Sequence, residues 1–114
     1  MRVAILATLL AACCAAGQGP APASLKEALA AHQRGDLPHA AALYRQALDA
    51  HPGLLQARIN LGAALAQMGR IDEAIAVLEA APAPVRSDPS LRKNLALAYY
   101  RKGDVPATLR ELEP

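Results

Sequence analysis

Three kinds of patterning follow one another along the chain. Behind Met1-Arg2, apolar residues run without a break from Val3 to Ala12. From Ala15 to Ser24 the run Ala-Ala-Gly-Gln-Gly-Pro-Ala-Pro-Ala-Ser has neither helical nor strand periodicity and cannot bury a core. From Leu25 onward apolar and small positions recur in a regular arrangement, which predicts helices near 25-34, 38-50, 55-68, 72-81, 90-102 and 106-112. The expected organisation is therefore a leader (1-12), a cysteine and tether (13-24) and one folded domain (25-114). A chain of 114 residues has room for one core and not for two.

The clearest markers of recurrence are Gly35, Gly69 and Gly103, each 34 residues from the next. Asn60-Leu61-Gly62 returns one period later as Asn94-Leu95-Ala96, and Gly35-Asp36-Leu37-Pro38 matches Gly103-Asp104-Val105-Pro106 two periods away. Each glycine stands where a first helix ends and a positive φ is cheap. Asp36, Asp72 and Asp104 stand where a helix start favours a capping or dipole-compensating carboxylate, and Pro38 and Pro106 suit a first turn whose N–H groups are free anyway. Small residues at 28, 62 and 96, and at 40 and 74, let two antiparallel helices approach. Tyr44, Leu65, Leu78 and Tyr99 then fill the gaps between them.

A helix-turn-helix period of 34 with Leu-Gly, an aromatic slot, Ala-x3-Phe and a closing Pro is the signature of the tetratricopeptide repeat. This chain resembles that family over residues 25-114, with repeats at about 21-54, 55-88 and 89-114. The middle repeat matches best, with Leu61-Gly62, Leu65, Ala74 and Leu78, although its closing Pro is missing. Repeat 1 carries Ala28, Ala40, Tyr44, Ala47 and His51-Pro52. Repeat 3 carries Leu95-Ala96, Tyr99 and Gly103, but Thr108 replaces the alanine that pairs with Leu112. None of the three has the family's tryptophan. The expected fold is an all-α, short α-solenoid of about three hairpins, six antiparallel helices in all.

The resemblance implies a concave groove lined by the first helices, in which a partner segment lies. Its lining maps to Lys26, Leu29 and Gln33, to Gln56, Asn60 and Ala63, and to Lys93, Asn94, Leu97 and Arg101. Asn60 and Asn94 are the leading candidates, because an amide can both donate to and accept from a bound peptide backbone. The alternative is that they bond inside the fold. Lys93 and Arg101 could attract a carboxylate, but Leu25 stands where the clamp of chaperone-binding relatives wants a lysine. After repeat 2, Ala81-Pro82-Ala83-Pro84 and Ser87-Asp88-Pro89 predict a longer connection with the register kept. Glu113-Pro114 follows a short final helix directly, so an apolar edge including Leu109 and Leu112 is either shielded by its charged neighbours or open to a second copy or a partner.

Composition sharpens this picture. Apolar residues make up 54% of the chain, with no Phe, no Trp and three Tyr, and alanine and leucine dominate, which favours helix over sheet. Twelve basic residues against ten acidic ones give a net +2, too little to select nucleic acid or an anionic surface. The three histidines, His32, His39 and His51, are spaced too irregularly to share a metal on one helix. There is no phosphate loop, nucleophile elbow or HExxH, so the expectation is a non-enzyme without a cofactor.

The two cysteines, Cys13 and Cys14, both precede the folded part, which must be held by packing alone. The charged start and short apolar run have the form of an export signal, too short to cross a hydrocarbon core of about 30 Å. Leu10-Ala11-Ala12-Cys13 resembles the lipobox of bacterial lipoproteins, which implies cleavage before Cys13 and acyl chains on it. Two or three chains, at about 0.8 kcal/mol per buried methylene, anchor a protein stably. The tether, at roughly 3 Å per residue when Pro-rich, would then hold the domain some 20 to 30 Å from the bilayer. The expected place is the cell envelope, facing the periplasm, with envelope proteins as partners. The alternatives are modification at Cys14, or an ordinary signal cut near Ala16-Gly17 that releases a soluble periplasmic module.

Overall fold

The computed structural model describes residues 23–114, so the leader, Cys13 and most of the tether lie outside the described residues. Seven helices follow in order: α1 (Ala23–Gln33), α2 (Leu37–Ala50), α3 (Leu55–Gln67), α4 (Ile71–Glu79), α5 (Ala83–Arg86), α6 (Pro89–Lys102) and α7 (Val105–Leu112). Six of them form three antiparallel hairpins, α1–α2, α3–α4 and α6–α7. This is the expected all-α solenoid.

The period of 34 shows first in the backbone. Gly35, Gly69 and Gly103 are the positive-φ residues, at 81°, 82° and 89°. Each closes its helix with the same pair of bonds. Asp36 N donates to Ala31 O at 2.9 Å, Arg70 N to Leu65 O at 2.9 Å and Asp104 N to Tyr99 O at 3.0 Å, while each glycine N–H bonds the carbonyl three residues back. These are Schellman closures, which satisfy carbonyls that a helix end leaves free. Asp36, Asp88 and Asp104 then cap α2, α6 and α7 by accepting from His39 N, from Ser90 N and Leu91 N, and from Ala107 N. Helix α4 is the exception: its cap position is Arg70, without a side-chain bond. Asp72 lies in its first turn and meets Lys102 Nζ at 2.7 Å.

The core is a series and not a single ball. One cluster, from Leu25 to Ala74, joins α1, α2, α3 and the start of α4 around fully buried Tyr44, Leu61 and Leu65. A second holds Leu78, Ala81, Leu91 and Leu95, with Leu55, Ile59, Ile75, Val85 and Tyr99 against it. Helix α6 thus seats in the seam between α3 and α4. Gly62 allows the closest approach within repeat 2, since a Cβ there would lie 3.0 Å from Leu78 Cδ2 and Cγ.

The connection after repeat 2 differs from the expected loop. Helix α4 stops at Glu79, two residues before the expected end, and Ala83–Arg86 forms a further single turn with Pro84 at its start. That turn is held from outside. Arg86 reaches Glu79 Oε2 at 3.2 Å and Glu111 Oε1 at 2.6 Å, so it joins α4 to α7.

Candidate partner-binding surface

The first helices of the hairpins, α1, α3 and α6, carry all the residues expected to line a groove. Between α3 and α6 lies a small hollow of about 90 Å³, floored by Gly62 and Leu78 and walled by Ala63, Ala66, Gln67, Asn94, Leu97, Ala98 and Arg101. Four of the expected residues, Ala63, Asn94, Leu97 and Arg101, therefore come together. Arg101 Nη1 spans the seam to Ala66 O at 3.5 Å.

A wider hollow of about 600 Å³ opens between α6 and α7, lined by Ser90, Lys93, Asn94, Ala96, Leu97, Tyr100, Thr108 and Leu112. Lys93 joins the set here, and Asn94 and Leu97 border both hollows. Lys26, Gln33 and Gln56 are exposed, and Leu29 is half-buried against the first core cluster; none of the four borders either hollow. Leu25, the position that departs from the carboxylate clamp, is a core residue.

The two asparagines are placed differently from one another. Asn94 Nδ2 donates to Ser90 O at 2.8 Å within its own helix. Asn60 is half-buried, and its Nδ2 is enclosed without a hydrogen-bond partner. Burial raises the pKa of the Tyr44 phenol, with the Asn60 amide acting in the opposite direction. The Tyr44 hydroxyl lies 3.1 Å from His32 Nδ1, and His32 Nε2 lies 3.2 Å from Gln67 Oε1. Because Gln67 Oε1 can only accept, Nε2 donates and Nδ1 accepts from the tyrosine. This chain of polar contacts stitches α1, α2 and α3 together.

Gln67, Ala66 and Tyr100 border the hollows but were not among the expected residues. Their signal was present: Gln67 is 34 residues from both Gln33 and Arg101, and Ala66 is 34 residues from Tyr100. On the other side of the molecule a third hollow, of about 530 Å³ between α2 and α4, includes Arg45, Asp49 and Arg58. Arg58 is buried and donates to Val77 O and Pro52 O, both at 2.9 Å, so it closes the turn between α2 and α3. Among the described residues no cluster of His, Cys, Asp and Glu could hold a metal ion, and no helix is long and apolar enough to cross a membrane.

Stacked helical hairpins with Gly-closed first helices, a small-residue seam and a continuous face of first helices define a repeat solenoid whose surface suits protein binding. The model of a tetratricopeptide repeat family matches residues 31–98, well over half of the chain, and this chain belongs to that family. Among solved structures it is similar to MamA of strain AMB-1 in crystal form P212121, with 26% identity and a TM-score of 0.69 over 77% of this chain and 48% of that one. It is also similar to MamA of strain MSR-1 in crystal form C2, with 26% identity and a TM-score of 0.68 over 77% and 51%. The chain thus spans about half the length of the MamA chains it matches. No curated protein matches it significantly.

Proposed function

We propose that this chain is a non-catalytic adaptor of a bacterial cell envelope, held to a membrane by acyl chains on Cys13 and facing the periplasm. A segment of an envelope protein lies across the face of α1, α3 and α6. The observation that carries the reading is the seam between α3 and α6, where apolar Ala63 and Leu97 adjoin the cation of Arg101 and the amides of Gln67 and Asn94 in one hollow. An extended or helical peptide finds there an apolar floor and polar groups able to bond its backbone or a carboxylate.

Anchoring and binding are tested separately. The intact mass of the membrane-extracted protein, taken beside Cys13→Ser, should correspond to Cys13–Pro114 plus acyl chains and lose them in the variant. An unacylated mass starting after Cys14 would leave a soluble exported module in place of the anchored one. For the groove, a photo-crosslinking amino acid at Ala63 or Leu97 should capture a partner in cells, and the same probe at Arg45 on the opposite side should not. Capture from Arg45 alone would move the binding surface to the α2–α4 side.

A further inference from the structure

Among the described residues five large apolar side chains are exposed, Leu97, Tyr100, Val105, Leu109 and Leu112, and all lie on α6 and α7. Their exposure runs from 52% for Leu97 to 68% for Tyr100. Helix α7 has its polarity reversed. Its buried residues are Ala107 and Glu111, while Val105, Leu109 and Leu112 form an outward stripe at i, i+4 and i+7. Leu97, Tyr100 and Leu112 face one another across the 600 Å³ hollow.

The repeat identifies what kind of face this is. One period earlier, Leu109 and Leu112 correspond to Ile75 and Leu78, which pack in one cluster with Leu91 and Leu95 of α6. The α6–α7 face is therefore shaped to receive a helical edge, and a contiguous apolar patch of a few hundred Å² marks an interaction surface.

A second copy has two edges to offer. At its N-terminal edge, Glu27 of α1 occupies the register position of Leu61 and Leu95, the residues that α3 and α6 bury, and Glu27 is exposed. Head-to-tail stacking would press that carboxylate into the apolar hollow, where its desolvation opposes binding. The other edge is the same α6–α7 face, which supplies both a ridge, Leu109 and Leu112, and a hollow beside Leu97 and Tyr100. Such a surface complements itself under a two-fold axis. Lys93 and Glu113, of opposite sign and in none of the ion pairs among the described residues, flank it, so no single-sign field repels a second copy.

We propose that the α6–α7 face is a two-fold interface between two copies of this chain. About 500 Å² per copy puts the contact at the lower end of specific interfaces, so association is concentration-dependent, with a Kd on the order of 10 µM. The proposal stands whether or not Cys13 is acylated and whether or not the α3–α6 seam holds a peptide.

The test uses the full chain with Cys13→Ser and Cys14→Ser, which removes disulfide dimers, in sedimentation velocity across micromolar concentrations. A monomer–dimer equilibrium is expected, and Leu109→Gln with Leu112→Gln should raise its Kd at least about tenfold. Because both leucines are exposed, the helical circular dichroism and Tm of the doubly substituted monomer should match the parent. If they do not, Tyr100→Ala on α6 replaces that pair. Glu27→Gln should leave the equilibrium unchanged. A chain that stays monomeric at about 200 µM, far above the expected Kd, overturns the proposal and assigns the face to a different protein or segment. So does a dimer indifferent to Leu109, Leu112 and Tyr100, or one that Glu27→Gln tightens.

Discussion

Glu111 lies with its side chain 4% exposed, 2.6 Å from Arg86 and 3.5 Å from Arg92. Burial pushes its pKa upward, but hydrogen bonds and charge from Arg86 and then Arg92 outweigh burial and hold it below the ordinary glutamate value. A depressed carboxylate contributes stability above its unfolded pKa, about 4.3, and that contribution is lost as pH falls through the lower folded value. Urea unfolding of the wild type should therefore weaken below about pH 4.3. Glu111→Gln should cost about 2 kcal/mol at pH 7, because two arginines lose their counterion, and should show a shallower loss on acidification. An unchanged acid limb in that variant would mean that the ion pairs contribute nothing. In the sequence Glu111 looked like any surface carboxylate. Its partner Arg86 lies 25 residues earlier, in a segment expected to be loop.

Helices here begin and end on local chemistry, which is why most boundaries could be placed within a residue or two. Glycine closures at 35, 69 and 103 and prolines in first turns act within a few residues of themselves. Asp88 bonds two N–H groups of α6, so Asp88→Ala should cost about 1 kcal/mol by chemical denaturation. Asp72→Ala, at an exposed first-turn position that caps nothing, should cost less, and the reverse order would contradict the capping assignment. Helix α5 escaped the pattern for an equally physical reason. Four residues are too few for a hydrophobic period, and what orders them is Arg86 bridging Glu79 and Glu111.

At the scale of the whole molecule, each hairpin meets only its neighbours, and α6 joins the third to the second by seating between α3 and α4. Leu95 is fully buried in that joint. Leu95→Ala should cost about 3 kcal/mol through lost burial and a residual cavity. In a stacked array the loss should fall unevenly, so hydrogen exchange should quicken in α6 and α7 more than in α1 and α2. Uniform quickening along the chain would show instead that the three hairpins open as one unit.

The helices, their order and their stacking could be read directly from the chain, because a period of 34, glycine conformational freedom and capping are short-range properties repeated three times. The same period pointed to the α3–α6 seam through Ala63, Asn94, Leu97 and Arg101, and it would have added Gln67 and Tyr100. Which way individual side chains turn was settled only by packing between hairpins. Asn94 bonds Ser90, Asn60 encloses its amide nitrogen, and α7 buries Glu111 while turning Leu109 and Leu112 outward. Those outcomes depend on which groups meet across the seams, where a buried charge finds two arginines and a leucine finds no partner, and spacing along one chain does not encode such meetings.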